Sequence, residues 1–166
     1  MACGTGIISL GLAEQVNSMI GVDISPKMIS IAKEKALKLS ISNVDFQIAD
    51  GYSLQYEDNT FDTILLFNSL HIVKEPKSIL DEAYRLLKPK GYLVTATDCY
   101  LESVPFLKKI YTLVPKLMKQ FGIITYLNCY KRKDIINLLT QNKYEIIEDD
   151  ILHDAPVNYY VLAQKK

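Results

Sequence analysis

The sequence lacks three things that would point to particular partners: net charge, clustered cysteines and long apolar runs. Nineteen basic residues balance nineteen acidic ones, so no excess of one sign favours a nucleic-acid backbone or an anionic membrane surface. The apolar runs, such as residues 64–67, are much shorter than the roughly 20 residues that a membrane-spanning helix needs. We therefore expect a small-molecule partner, and neither nucleic acid nor membrane.

The cysteines also exclude two architectures. Cys3, Cys99 and Cys129 are odd in number and widely spaced, without the close pairs typical of a zinc site or a disulfide framework. We predict no metal site and three reduced thiols. With no secretory leader at the start of the sequence, these features favour a soluble, cytoplasmic protein.

What the sequence does have is a regular alternation of short and long segments. Short runs rich in Val, Ile and Phe alternate with longer amphipathic stretches, a rhythm typical of βαβ units around a parallel sheet. Strands are predicted at residues 18–23, 43–49, 61–68, 92–97, 144–152 and 157–163, and helices at 7–17, from 26, from 76 and at 131–141. The last two strands are joined by a turn too short for a crossover, so they are expected to pair antiparallel. Residues 1–166 are predicted to form a single domain, with residues 100–130 as a substrate-cap insertion.

A glycine-rich turn, Ala-Cys-Gly-Thr-Gly, occupies residues 2–6. Its glycines let a ligand approach the backbone, and the helix that follows would point N–H groups at that ligand. Asp23, nineteen residues after Gly4, ends the next strand, where a carboxylate can accept hydrogen bonds from ribose hydroxyls. Asp50, followed by Gly51, ends the strand after that. Ligands of open α/β sheets bind at such carboxyl ends, so the pattern indicates a cofactor site.

Two cofactors fit this arrangement. A nicotinamide dinucleotide site favours Gly-x-Gly-x-x-Gly/Ala, and Ser9 stands at the last of these positions. This departure weakens the interpretation as an NAD(P)-dependent oxidoreductase. The loop together with Asp23 and Asp50 instead resembles the class I S-adenosylmethionine-dependent methyltransferases, most of all their small-molecule branch, type 11. The resemblance extends over nearly the whole chain through Gly-Val-Asp-Ile-Ser at 21–25, Ala-Asp at 49–50, Phe-Asp-Thr-Ile at 61–64, Asn-Ser-Leu-His at 68–71 and Leu-Leu-Lys-Pro-Lys-Gly-Tyr-Leu at 86–93.

The resemblance implies a fold, a cofactor and an activity. The fold would be α/β, a Rossmann-like doubly wound, mostly parallel sheet with an antiparallel C-terminal hairpin. The activity would be methyl transfer from S-adenosyl-L-methionine to a small-molecule acceptor. No catalytic residue is obligatory, because the protein needs mainly to align donor and acceptor and to exclude water.

The resemblance also implies roles for individual residues. The glycine loop would line the methionine part of the cofactor, Asp23 would hold both ribose hydroxyls, and Ile24 would pack against the adenine. Asp50 would bind the adenine amino group, while the residues after the fourth family strand would lie beside the sulfonium and the acceptor. The cofactor-binding residues implied in this way are Ala2, Cys3, Gly4, Gly6, Asp23, Ile24, Asp50, Gly51, Asn68 and Ser69.

Several of these side chains keep a second interpretation. Asp23 and Asp50 could be local cap or turn residues. His71 borders the predicted site, where it could be a general base for a hydroxyl acceptor or a hydrogen-bonded loop histidine. Cys3 has the position of a reactive thiol at a helix N-terminus, although packing is the favoured interpretation.

The family pattern places a strand ahead of residue 2, between the strands that end at Asp23 and Asn68. The sequence has only Met1 there, so relative to the family we expect a chain truncated inside the cofactor loop and a sheet whose first strand is missing. Three alternatives stay open: a longer protein, strand donation from another chain such as a homodimer partner, or a rearranged fold. The matching functional alternative is a non-catalytic remnant with weak or no cofactor binding.

Overall fold

The computed structural model describes residues 1–102, 126–154 and 157–166, together with the single positions 113, 117 and 120. The described chain forms two compact units, Met1–Gln55 and Tyr56–Lys166. The single domain over residues 1–166 stays a prediction. Most of the predicted cap at 100–130 lies outside the described residues.

The first unit is built on a two-stranded parallel sheet. Its elements are α1 (Ile7–Gly11), a 3₁₀ turn (Ala13–Gln15), β1 (Met19–Asp23), α2 (Pro26–Lys38) and β2 (Val44–Ile48). β1 and β2 pair from Met19 opposite Val44 to Asp23 opposite Ile48, so both carboxyl ends lie at one edge. The helix predicted over residues 7–17 is wrong in length, because it ends at Gly11 and a short 3₁₀ turn follows.

α2 begins where the sequence predicts. Pro26 takes the first helical position, and the Ser25 hydroxyl accepts a hydrogen bond from the Met28 N–H at 3.4 Å. The helix buries Ile29 and Ala32 against the core of the first unit. It therefore covers the sheet with the face that its apolar periodicity indicates.

Phe46 on β2 explains two of the glycines in this unit. A Cβ atom added at Gly21 would lie 2.6 Å from the Phe46 ring, and one at Gly6 would lie 2.7 Å from it. Gly6 also has a φ of 73°, which side-chain-bearing residues rarely adopt. Gly6 is thus required by packing and backbone conformation, independently of any ligand.

The second unit contains a mixed four-stranded sheet. Its elements are β3 (Phe61–Phe67), α3 (Pro76–Leu86), β4 (Leu87–Asp98), α4 (Arg132–Gln141), β5 (Tyr144–Asp154) and β6 (Val157–Lys165). The strand order is β3-β4-β6-β5, with β3 and β4 parallel and the other pairs antiparallel. The predicted α/β class and its antiparallel C-terminal hairpin are confirmed.

β4 begins five residues earlier than predicted. The chain passes directly from α3 into β4, and the register shifts so that Phe61 faces Leu87 whereas Thr63 faces Tyr92. A Cβ atom added at Gly91 would lie 2.9 Å from the Asp62 carbonyl oxygen. Gly91 therefore lets a strand bulge approach β3 closely.

The core of the second unit lies between its helices and the sheet. α3 buries Ile79, Leu80, Ala83 and Leu86, as its periodicity predicts. Tyr144 at the start of β5 is fully buried, and its hydroxyl donates to the Leu80 carbonyl oxygen at 3.1 Å. Among the described residues, no helix has the length and apolarity that crossing a membrane requires.

Candidate functional site

Asp23, at the carboxyl end of β1, holds the glycine-rich turn in place. Its Oδ2 accepts a hydrogen bond from the Gly4 N–H at 2.9 Å, and its Oδ1 accepts one from the Ser25 N–H at 3.0 Å. A carboxylate offers about four lone-pair positions, so these bonds leave capacity for two further donors. The half-buried Asp23 side chain can therefore act as a local cap and still receive a pair of hydroxyls.

The glycine-rich turn has an unusual backbone. Ala2, Gly4 and Gly6 all have positive φ angles of 53°, 53° and 73°. The Cys3 N–H donates to the Val22 carbonyl oxygen at 2.9 Å, which fixes the turn beside β1. Among the described residues, apart from the chain neighbours of Gly4, no atom lies within 4 Å of a Cβ built at Gly4, so the backbone there is open to a ligand.

Lys35 on α2 is a contact of this turn that sequence reasoning missed. Its ammonium group donates to the Thr5 hydroxyl at 3.1 Å and to the Thr5 carbonyl oxygen at 3.4 Å. The interaction places a positive charge next to the loop. Lys35 also follows the helical spacing of α2's solvent-facing lysines, so nothing in the pattern distinguished it.

Asp50 lies beyond the end of β2, at the same edge as Asp23. The Ala49 N–H donates to the Asp23 carbonyl oxygen at 3.1 Å, which brings the two strand ends together. Asp50 Oδ1 accepts a hydrogen bond from the Tyr52 N–H at 3.0 Å, the local turn anticipated as its second interpretation. Ile24, the residue after Asp23, is 70% exposed and presents an apolar surface at this edge.

Cys3 has the environment of a packed thiol. It is half-buried against the core of the first unit, and burial together with the negative charge of Asp23 raises its pKa to about 11. Reactive cysteines have lowered pKa values, because the thiolate is the nucleophile. The geometry supports packing over a reactive thiol.

The second unit carries the remaining predicted residues at the end of β3. Asn68 has a φ of 49°, and its N–H donates to the Ala96 carbonyl oxygen at 2.7 Å. Ser69 is 1% exposed, and its hydroxyl has no hydrogen-bond partner among the described residues. An unsatisfied buried hydroxyl is costly, which indicates that a further group completes it.

Asn68 belongs to a polar group that we call the strand-end cluster: Asn68, Asp98, Tyr100 and Asn158. The Asn158 Nδ2 donates to Asn68 Oδ1 at 2.8 Å and to Asp98 Oδ1 at 2.7 Å. The Tyr100 hydroxyl donates to Asp98 Oδ2 at 3.2 Å. Sequence reasoning missed Asp98, although it ends a parallel strand as Asp23 does, and it missed Asn158, which carried no local signal.

His71 packs beside this cluster. Its ring meets that of Tyr100 edge to face, with centroids 5.7 Å apart. Burial lowers the pKa of His71, while the negative charge of Asp98 acts in the opposite direction. The imidazole is therefore neutral at pH 7, and its buried Nδ1 has no hydrogen-bond partner among the described residues.

Asn128 holds the loop that carries His71, and sequence reasoning missed it too. Its N–H donates to the His71 carbonyl oxygen at 2.7 Å. Its Nδ2 donates to the carbonyl oxygens of Leu70 at 3.2 Å and Val73 at 2.7 Å. These bonds tie residues 70–73 to the described end of the predicted cap.

Open α/β sheets bind their ligands, nucleoside-containing cofactors among them, at the carboxyl ends of parallel strands, which is where these polar side chains lie. The chain belongs to the methyltransferase domain family, whose model matches residues 1–95. This confirms the predicted resemblance and favours the methyl donor over a nicotinamide dinucleotide. S-adenosylmethionine is the cofactor of this family.

Relatives of known name support the same family. A demethylmenaquinone methyltransferase of Oceanobacillus iheyensis is 36% identical over 97 residues, which cover 57% of this chain and 41% of that protein. One from Staphylococcus epidermidis is 32% identical over 126 residues, covering 74% and 51%. A phosphoethanolamine N-methyltransferase of Arabidopsis thaliana is 32% identical over 106 residues, covering 63% and 21%. The chain spans about half the length or less of these curated relatives.

Solved structures share the fold. A methyltransferase from Methanosarcina mazei, described as SAM-dependent, has a TM-score of 0.78 at 23% identity and covers 99% of this chain and 89% of its own. A protein from Pyrococcus horikoshii has a TM-score of 0.78 at 24% identity, covering 99% and 79%. At these identities the similarity shows the fold alone.

The residues of the first unit fit this cofactor. The backbone at Gly4 is open, Asp23 keeps acceptor capacity, and Ile24 offers an exposed apolar surface. These three properties match a backbone-facing methionine moiety, a ribose diol and an adenine ring. The particular roles of these residues stay predictions.

Proposed function

We propose that this protein transfers a methyl group from S-adenosylmethionine to a small-molecule acceptor in the cytoplasm. The observation that carries the proposal is the Asp23 carboxylate, which holds Gly4 and Ser25 by backbone hydrogen bonds and retains acceptor capacity. A carboxylate fixed in this way is pre-organised for a vicinal diol, since no side-chain entropy remains to be lost on binding.

In the first unit, the chain's task would be to bind and orient the donor. Asp23 would accept the two ribose hydroxyls, Asp50 would accept the adenine amino group, and Ile24 would cover the ring. The open backbone at Gly4 would lie against the methionine moiety. When bound, S-adenosylmethionine supplies an electrophilic methyl carbon on a positively charged sulfur.

In the second unit, the chain's task would concern the acceptor. His71 is buried and neutral, so its imidazole could receive a proton from a hydroxyl acceptor. Ser69 and Asn68 precede it at the end of β3 and would contact the reacting groups. Alignment of donor and acceptor supplies most of the rate enhancement in such a displacement.

For the acceptor, we propose a quinol, with reduced demethylmenaquinone as the first compound to test. The support is that the named relatives from Oceanobacillus and Staphylococcus are demethylmenaquinone methyltransferases. In a quinol, the electron-rich ring carbon forms the new C–C bond as the S–C bond breaks. The ring proton that this carbon carried then leaves to a base.

The test is methyl transfer from labelled S-adenosylmethionine by the 166-residue chain. Reduced demethylmenaquinone and phosphoethanolamine serve as alternative acceptors, and the oxidised quinone serves as the negative control. We expect label in the reduced quinone product. Label in phosphoethanolamine alone would contradict the quinol assignment, and label in neither, without binding of the donor, would favour the non-catalytic alternative.

A further inference from the structure

We infer that Asp98, acting through Asn158, sets the direction of the Asn68 side-chain amide. Asn68 would thereby offer an N–H donor, not a carbonyl acceptor, to the methyl acceptor. The catalytic consequence rests on the proposed function, whereas the direction of the amide does not.

The direction follows from the chemistry of a carboxylate. An ionised Asp98 can only accept hydrogen bonds, so the Asn158 atom 2.7 Å from its Oδ1 must be the amide nitrogen. That nitrogen carries a second hydrogen, which points to Asn68 at 2.8 Å. Asn68 must therefore present its oxygen to Asn158, which turns its own nitrogen away from Asn158.

The sheet makes this arrangement stiff. Asn158 on β6 lies directly opposite Asp98 on β4 and is 3% exposed. The backbone of Asn68 is fixed by the hydrogen bond from its N–H to the Ala96 carbonyl oxygen. The Tyr100 hydroxyl donates to the second oxygen of Asp98, so both carboxylate oxygens act as acceptors. A rotated Asn158 amide would bury an oxygen against this carboxylate, at the cost of a lost charge-assisted hydrogen bond.

The direction of the amide has a consequence for the substrate class. Asn68 is exposed, so its Nδ2 can reach a ligand. An N–H donor suits an acceptor that presents an oxygen lone pair next to the methylated atom, such as a phenolate, an enolate or a carbonyl oxygen. An amine acceptor would instead need an acceptor atom to receive its own N–H. We therefore place Asp98 and Asn158 as positioning residues for an oxygen-bearing acceptor.

The test exchanges the two side chains, Asp98→Asn with Asn158→Asp, which conserves charge and composition. The carboxylate at position 158 would then be the obligate acceptor, and it would receive N–H groups from position 98 and from Asn68. The Tyr100 hydroxyl could still donate to the amide oxygen at position 98. The amide of Asn68 would be rotated, with its oxygen turned outward.

Hydrogen exchange of side-chain amides, measured by nitrogen NMR on the 166-residue chain, reports the direction without any ligand. In the unchanged protein we expect the Asn158 Nδ2 hydrogens to exchange about tenfold or more slowly than those of Asn68. In the exchanged variant, those of Asn68 should become the protected ones. Protected Asn68 hydrogens in the unchanged protein would overturn the inference even if the variant does not fold.

The matched control is Asp149→Asn. Asp149 accepts a hydrogen bond from the Tyr159 hydroxyl at 2.6 Å in the same sheet, outside the strand-end cluster. The hydrogen-exchange rates of the Asn68 and Asn158 side-chain amides should not change in this variant. If these rates changed as much as in the variant with exchanged side chains, the loss of any carboxylate in the sheet would have the same effect, contrary to the inference.

Methyl transfer supplies the second readout. In the variant with exchanged side chains we expect kcat/KM for reduced demethylmenaquinone, measured at saturating S-adenosylmethionine, to fall about tenfold or more. A rotated Asn68 amide with an unchanged rate of methyl transfer would overturn the positioning role of Asp98 and Asn158. If the unchanged protein transfers no methyl group, the proposed function fails while the exchange measurement still decides the direction of the amide.

Discussion

Replacing Asp23 by Asn tests the residue on which the proposed cofactor site depends. The two oxygens of Asp23 accept backbone N–H groups from Gly4 at 2.9 Å and from Ser25 at 3.0 Å. An Asn side chain has nearly the same shape but only one acceptor oxygen. Its NH₂ group must therefore face one of these two N–H donors, whichever way the amide is turned.

The magnitude follows from these contacts. The Asp23→Asn variant loses one charge-assisted hydrogen bond, and a single N–H donor near the surface is left to water. We expect the free energy of unfolding to fall by about 1 kcal/mol, because the site is only half-buried. For the cofactor, the loss of charge and of hydroxyl acceptor capacity should weaken binding by roughly 2–3 kcal/mol, or about 30- to 150-fold.

The assay is calorimetric titration with S-adenosylmethionine at a temperature well below the unfolding midpoint of both proteins. The control is Asp45→Asn, which changes an exposed carboxylate of β2 whose hydrogen bond comes from Gln47 Nε2 at 2.7 Å. The control variant should bind as the unchanged protein does. Equal affinity of the Asp23→Asn variant and the unchanged protein would show that the Asp23 carboxylate does not hold the cofactor.

Two further predictions concern stability. Arg85→Leu should lower the free energy of unfolding in urea by about 2 kcal/mol, because Arg85 makes two hydrogen bonds, at 2.8 and 2.9 Å, to the buried Glu82 carboxylate. Lys77→Ala, which breaks an exposed ion pair on the same helix, should change the free energy of unfolding little. Equal losses in the Arg85→Leu and Lys77→Ala variants would contradict a stabilising role of the buried Glu82 contact. The pKa of Cys3 is raised to about 11 in the folded protein, so between about pH 9 and 11 the unfolded chain releases a proton that the folded one keeps, and stability falls as pH rises. In the Cys3→Ser variant, the free energy of unfolding in urea should fall less steeply between about pH 9 and 11 than in the unchanged protein. An equally steep fall in both proteins would show that the Cys3 thiol is not its cause.

The strand ends were accessible to sequence reasoning because each is marked locally. Asp23 and Asp50 follow short apolar runs and are themselves followed by turn or cap signals. The structure places both at one edge of the β1–β2 sheet, where the parallel alternation predicts them. Ser25 and Pro26 marked the start of α2 equally well, since capping depends on neighbouring residues only.

The strand-end cluster depends instead on pairing between distant strands. Asn158 is 90 residues from Asn68 in sequence and reaches it only because β6 inserts beside β4. No periodicity predicts that neighbour. The early start of β4 was missed for a similar reason, because the residues before Gly91 look like a helix stop until the contact with Asp62 is known.

The most direct test of the central claim is calorimetric titration of the 166-residue chain with S-adenosylmethionine, with reduced nicotinamide dinucleotide as the comparison ligand. We expect binding of one S-adenosylmethionine per chain at micromolar concentration, and no heat of binding with the dinucleotide. Absence of S-adenosylmethionine binding at millimolar concentration by the folded chain, or binding of the dinucleotide instead, would contradict it.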